Sequence, residues 1–264
     1  MDINIGGKIM PKFFVISDIH GYYKQMIEAL ESANFDENNE EHWLICCGDC
    51  FDRGPNSVGV MRYLNNLPRK ILIRGNHELL FEEACNRGYF STHDFSNGTV
   101  GTILQFDLDT MDVGEMCLRA ELRTRFFREQ MVNYFETKNY IFVHGWIPVY
   151  YTDDLPKYYT KNRKYMFNPN WREASLTDWE IAMWSNPFDF AENKEMLPDK
   201  TIVFGHWHCS TGWARKEGKG EFDVDIKFEP FYGEGYIGID ACTAFTRKCN
   251  VIVLEDEFMD SKKE

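Results

Sequence analysis

Five short apolar runs in this chain end in the same kind of side chain. "FFVIS" runs into Asp18-Ile19-His20-Gly21, "LICC" into Gly48-Asp49-Cys50-Phe51-Asp52-Arg53-Gly54, and "ILIR" into Gly75-Asn76-His77-Glu78. "IFV" is followed by His144-Gly145, and "TIVF" by Gly205-His206-Trp207-His208. Between the first three runs lie "YYKQMIEALESA" and "SVGVMRYLNNL", whose apolar residues recur at helical spacing, so the order reads β-α-β-α-β. Short, wholly apolar strands suit a sheet covered on its faces. In an open α/β sheet the carboxyl ends of the strands line the ligand crevice, so side chains far apart in sequence can converge there.

The residue types say what such a crevice could hold. Carboxylate oxygens, an amide oxygen and imidazole nitrogens suit a pair of borderline-hard cations such as Mn²⁺, Fe or Zn²⁺. Two-metal sites place their ions roughly 3.5–4 Å apart, so one carboxylate must bridge them. The flanking glycines let the backbone turn tightly beneath such ions.

Composition narrows the function classes. The 264 residues include 44% hydrophobic and 16% aromatic residues, enough for a folded core. A formal charge of −13 and the lack of a basic stripe argue against a nucleic-acid partner. No run approaches the roughly 20 apolar residues of a membrane span, and the N-terminus lacks a secretory pattern. The eight cysteines are scattered, several inside apolar runs, as reduced thiols used for packing, so a cytoplasmic protein is expected. Cys46 and Cys47 would alternate faces of a strand. The C-x-x-C of Cys47 and Cys50 encloses Asp49, which already has a use. Cys50 is expected to lie exposed near the cations with a lowered pKa, open to oxidation.

The ordered set D-x-H-G, G-D-x-x-D-R-G, G-N-H-E, V-H-G and G-H, spanning residues 18–208, resembles the calcineurin-like metallophosphoesterases. Within that superfamily it lies nearest the Ser/Thr protein phosphatases, including the bacteriophage lambda type, and the diadenosine tetraphosphate hydrolases. The resemblance implies a two-metal phosphoester hydrolase on a four-layer α-β-β-α sandwich, with residues 1–264 forming one domain. Residues 89–138 would be a helical insertion, and residues 150–200, rich in Tyr, Trp, Asn and Pro, a cap of loops and short helices. Carried over by position, Asp18 and His20 would hold the first metal, Asp49 would bridge, and Asn76, His144 and His206 would hold the second. His208 is a further candidate ligand. Mn²⁺ is the expected metal, with Fe or Zn²⁺ as alternatives. Arg53 and Arg74, with Asn76 and His77, would bind phosphate oxygens, while Arg74 has a second reading as a brace for the bridging carboxylate. His77 would protonate the leaving oxygen, with Asp52 holding its tautomer.

Two departures bear on substrate. "WSNPFDF" is similar to the W-S-D-P segment of the protein phosphatases, but the arginine that follows it there is missing, leaving Lys194 as a point charge. "GIDACTAFTRK" departs from the family's I-D-T-G-C and its following glycines. The expected activity is hydrolysis of phosphoserine or phosphothreonine in a protein. The alternative is a dinucleoside polyphosphate hydrolase, supported by "FGHW", and the third reading is an inactive scaffold that binds phosphoprotein. The partner is therefore a phosphorylated protein or a small phosphoester; the oligomeric state is left open. The aromatic stretch at residues 150–171, with Lys157, Lys161, Arg163 and Lys164, reads either as a substrate-facing lid or as an outer cap.

Overall fold

The computed structural model describes residues 10–107, 109–152 and 164–259. In chain order the strands are β1 (Lys12–Ile16), β2 (His42–Cys46), β3 (Lys70–Leu72), β4 (Tyr134–Glu136), β5 (Tyr140–Val143), β6 (Tyr150–Tyr151), β7 (Tyr165–Met166), β8 (Thr201–Phe204), β9 (Phe231–Gly233), β10 (Tyr236–Gly238) and β11 (Ile252–Glu255). The helices are α1 (Tyr23–Ser32), α2 (Ser57–Asn66), α3 (Asn76–Arg87), α4 (Thr92–Asn97), α5 (Thr99–Phe106), α6 (Val113–Arg128), α7 (Leu176–Met183), α8 (Pro187–Ala191), α9 (Cys209–Glu217) and α10 (Thr243–Thr246).

One sheet has the order β11-β1-β2-β3, parallel except for the edge strand β11. The other runs β4-β5-β8-β10-β9, with a parallel centre and antiparallel edges. Strand side chains alternate between faces, and that alternation builds the layers. Phe13 and Val15 of β1, with Ile45, Cys47 and Ile73, pack against Phe142, Val203 and Ile237 of the second sheet. Their neighbours Phe14, Ile16, Leu44 and Cys46 face the other way, onto Met26, Val60, Phe81 and Ile103 of the helices. On the far side Ile141, Val143, Ile202 and Phe204 meet Trp179, Phe188 and Cys209. Helices, sheet, sheet, helices: this is the α-β-β-α sandwich, and Cys46 and Cys47 sit on opposite faces as their alternation requires.

The helical reading of residues 89–138 runs too far. It resolves into α4, α5 and α6, each started by its own cap: Ser91 Oγ on Asp94 N for α4, the left-handed Gly98 for α5 and Asp112 on Glu115 N for α6. Chain beyond Arg128 turns back, and Tyr134–Glu136 becomes the edge strand β4 on β5. The spacing of apolar residues in "FREQMVNYF" fits either structure, and pairing with β5 decides it. In the cap, β6 and β7 form a small ribbon. Several of its described aromatics are packed inward: Trp171 is fully buried against Tyr134 and Trp179, and Tyr165 rests on Phe190, while Tyr150 stays exposed. Lys157, Lys161 and Arg163, on which a lid reading also drew, lie outside the described residues.

Glu136 ties the cap to the sheet. Arg172 donates to both its oxygens, at 2.6 and 2.9 Å, and Lys200 donates at 2.8 Å. Burial alone pushes this carboxyl up, but the Arg172 and Lys200 hydrogen bonds outweigh it and hold it below its ordinary value. A depressed carboxyl pKa adds stability above the unfolded value of about 4.3, and the gain fades as pH falls through the folded value. Glu136→Gln is therefore expected to cost about 2 kcal/mol at pH 7, read from urea midpoints. The gap between the two proteins should narrow as pH falls below that unfolded value; a gap of constant width would mean that the charge plays no part.

Candidate active site

Three of the strand ends, those after β1, β2 and β8, reach their positions through unusual backbone. Asp18, His20, Asp49, Asp52, Arg53 and His206 all have positive φ, between 50° and 71°. Aspartate tolerates this region, but histidine and arginine do so at a cost. Two glycines are required by space rather than by φ. A Cβ on Gly75 would lie 2.2 Å from Asp49 Oδ1, and one on Gly205 would lie 1.8 Å from Ser17 Oγ and 2.2 Å from Asp18 Oδ2.

The structure gathers the side chains into two groups that share one residue. His20, Asp49 and His77 offer ligand atoms within 4.8 Å of one another, and so do Asp49, His144 and His206. Asp49 Oδ2 faces the first group, 3.7 Å from His20 Nε2 and 3.9 Å from His77 Nε2. Its Oδ1 faces the second, 3.3 Å from His144 Nε2. Asp18 Oδ1 lies 4.0 Å from His20 Nε2, and Asp18 Oδ2 accepts from the His206 backbone N–H at 2.9 Å and from Ser17 Oγ.

Hydrogen bonding fixes the tautomers. His144 Nδ1–H donates to the Cys47 carbonyl at 2.8 Å, so its Nε2 lone pair faces Asn76 Oδ1 at 2.8 Å and Asp49 Oδ1. Three groups with lone pairs converge there, an arrangement that a cation stabilises. His20 Nδ1–H donates to the Phe51 carbonyl at 2.9 Å, and its Nε2 accepts from Arg53 at 2.7 Å. Burial, then the Arg53 charge, pulls the His20 pKa well down; burial and then His144 do the same to His206. Both are neutral imidazoles able to ligate metal. Burial pushes the Asp49 carboxyl well above its ordinary range; His77 opposes this, while Asp18 and Glu78 add to it. With Asp18, Asp49, Asp52, Glu78 and Asp240 all buried, the donor set fits divalent cations.

Beside the first group, the partly exposed Arg53 bridges His20 Nε2 and His77 Nε2, the latter at 2.9 Å. His77 Nδ1–H donates to Asp52 Oδ2 at 2.7 Å, and the same oxygen accepts from Thr99 Oγ1 at 2.7 Å. Burial alone lowers the His77 pKa, but the Asp49 charge and the Asp52 hydrogen bond outweigh it and hold it above the ordinary value.

Other expected residues are placed elsewhere. The Arg74 guanidinium is held by Glu82, a carboxylate that also serves Arg128 at 3.1 Å. His208 Nδ1 pairs with Glu221 Oε1 at 2.9 Å, and His208 belongs to neither ligand group. Lys194 is paired with Glu234 at 2.7 Å on the surface. Cys50 is not exposed: it is fully buried against Cys46, and that contact with burial raises its pKa well above the ordinary thiol value. Two positioning residues have little sequence signal. Glu78, part of the G-N-H-E run, accepts from the backbone N–H of Asp49, Cys50 and Gly75 at 3.0, 2.8 and 2.8 Å. Thr99 lies 47 residues from Asp52, so only the packing of α5 brings it there.

Comparison with known proteins sets this centre in context. The family model for calcineurin-like phosphoesterases matches residues 11–210. A symmetrical bis(5'-nucleosyl)-tetraphosphatase of Proteus mirabilis is 39% identical over 67 residues, 25% of this chain and 24% of that protein. The chain thus matches about a quarter of that relative's length. A solved structure provisionally described as a diadenosine tetraphosphatase covers 94% of this chain and 95% of its own, at 17% identity and a TM-score of 0.48. The cold-active protein tyrosine phosphatase of a psychrophilic Shewanella species covers 93% and 76%, at 15% identity and a TM-score of 0.47. Because the family match runs from just before β1 into the first turn of α9 and encloses every strand end around Asp49, the chain belongs to the calcineurin-like phosphoesterases, a family of metal-dependent hydrolases.

Proposed function

We propose that this chain is a two-metal hydrolase of dinucleoside polyphosphates. The observation that carries the chemistry is Asp49, whose two oxygens face the two ligand groups. Bound there, two divalent cations supply an activated water and absorb phosphate charge; Asp18, His20 and Asp49 would hold one, and Asn76, Asp49, His144 and His206 the other. Mn²⁺ is the first choice, though the same ligands accept Fe or Zn²⁺.

In this reading Arg53 grips a phosphate oxygen with its planar fork. That oxygen, accepting from Arg53 and from the Nε2–H of a protonated His77, would replace the direct Arg53–His77 contact of 2.9 Å. His77 then gives its Nε2 proton to the leaving oxygen, and the Asp52–Thr99 pair keeps the ring oriented. The substrate class draws on the bis(5'-nucleosyl)-tetraphosphatase named among the relatives and on Lys194, whose ion pair with Glu234 leaves no substitute for the missing arginine. Hydrolysis of phosphoserine or phosphothreonine is the second reading, favoured by the "WSNP" segment, whose Trp184 ring meets His206 at 6.2 Å. A scaffold without catalysis has less support, because Arg53 and His77 keep their partners. Eight cysteines without a disulfide suit a reducing, cytoplasmic setting, and no helix among the described residues is long and apolar enough to cross a membrane.

Three outcomes are expected. Mn²⁺-loaded protein should convert diadenosine tetraphosphate to two ADP, resolved by ion-exchange chromatography, faster than it releases phosphate from a phosphothreonine peptide; the reverse order makes the second reading the better one. Asp49→Asn should lose bound metal, measured by elemental analysis, together with activity. His77→Asn should keep its metal but slow an alkyl phosphate by roughly 10²–10⁴, and a nitrophenyl ester much less. Equal slowing of both esters rules out His77 as the acid.

A further inference from the structure

Three phenylalanines stand together on the surface beside the candidate centre. Phe222, Phe228 and Phe245 contact one another with ring centroids 5.5–6.1 Å apart. Phe222 and Phe245 nevertheless keep 56% and 64% of their surface exposed. Aromatic groupings of this kind normally close a core, yet none of the three rings belongs to the three cores of the sandwich. Phe245 lies in the "TAFTRK" stretch that departs from the family pattern.

Two tethers fix these rings near the metal ligands. The ion pair of Glu221 with His208 holds one arm, and the His208 ring is 5.8 Å from Phe222. His208 is two residues beyond His206. The other arm is α10, bounded by the left-handed Cys242 and Arg247. Arg247 donates to Tyr22 Oη and lies over the Tyr22 ring, 4.6 Å from its centroid. Tyr22 is two residues beyond His20. Each arm is therefore tethered to a residue two positions beyond a candidate ligand, His208 after His206 and Tyr22 after His20.

The chemistry of the patch selects the uncharged end of a substrate. Glu221, Asp223 and Asp225 flank Phe222 in sequence and disfavour phosphate at that ring, Lys227 and Lys248 lie farther along beside Phe228, and exposed aromatic rings favour a flat, neutral π system. A cavity of about 260 Å³ opens beside Phe228, lined in part by Lys227, Ala241, Thr246, Lys248 and Asn250, room enough for a planar base next to the rings. We propose that Phe222 and Phe245 form a stacking platform for the purine base of the nucleotide substrate, an inference that rests on the nucleotide reading of the centre.

The test uses metal-loaded protein and titration calorimetry with two probes, AMP and inorganic phosphate, so it does not depend on turnover. Wild-type protein should bind AMP on the order of 10- to 100-fold more tightly than phosphate, the scale of one or two stacking contacts. In the Phe222→Ala/Phe245→Ala double variant that ratio should fall close to one. It should also fall in Phe222→Leu/Phe245→Leu, which keeps the apolar bulk and loses the π faces. Equal binding of the two probes by the wild type, or a ratio unchanged in the double variants, overturns the platform. So does a loss of affinity confined to a phosphopeptide with an aromatic side chain, because the rings would then serve a peptide. Hydrolysis of diadenosine tetraphosphate is scored separately: its absence alongside an intact AMP preference rejects the proposed function and not the platform.

Discussion

Everything at the candidate centre depends on how Glu78 is held. Its buried carboxylate accepts three backbone N–H groups, two from the loop after β2 and one from the loop after β3. Those bonds join two strand ends into one rigid floor and aim Asp49 between the two ligand groups. Charge-assisted hydrogen bonds contribute about 1.5–3 kcal/mol each. Opposing them are the six left-handed residues of the centre, at roughly 1–2 kcal/mol each and less for the aspartates. With the further bonds of His206 N to Asp18 and His77 N to Asp49, the two sets of terms are of similar size. At Asp18, Asp49 and His206 the strain is offset by hydrogen bonds made at the same residues.

Electrostatics follows from that floor. Carboxylates brought this close in a buried site raise one another's pKa unless positive charge is present. The protein supplies part of it as Arg53, which is open to solvent on one side and bonded to both His20 and His77. A phosphate entering there meets a guanidinium already oriented by two imidazoles. The same closeness explains the thiols. Cys46, Cys47 and Cys50 lie under the carboxylates, where burial and neighbouring charge raise the pKa of Cys47 and Cys50. They serve as inert packing beneath the centre.

Much of this was readable beforehand, for identifiable reasons. The short apolar runs and the turn residues after them are local signals, so β1, β2, β3, β5 and β8 fall where the apolar runs do. The clustered Asp, Asn and His residues were legible because each lies directly after its strand. The pairing of Arg74 with Glu82 was not legible, because an arginine beside such a motif has the right chemistry for phosphate and nothing local points to Glu82. Cys50 was misread because a variable position in a metal-binding loop suggests exposure, whereas the helices pack over it. Strand β4 was missed because its apolar spacing suited a helix equally well.

The sequence by itself determined the β-α-β-α-β start of the fold, the set of ligand types and the glycines without which those ligands could not approach. These are properties of neighbouring residues, and steric and hydrogen-bonding rules act on them directly. Only the tertiary structure decided that Asp49 faces both groups, that Thr99 shares Asp52 with His77, that Glu78 clamps two loops, and that Phe222 and Phe245 meet beside the centre. Each of these joins residues tens of positions apart, and their separation in space is set by how the two sheets and their helices pack, which no local pattern encodes.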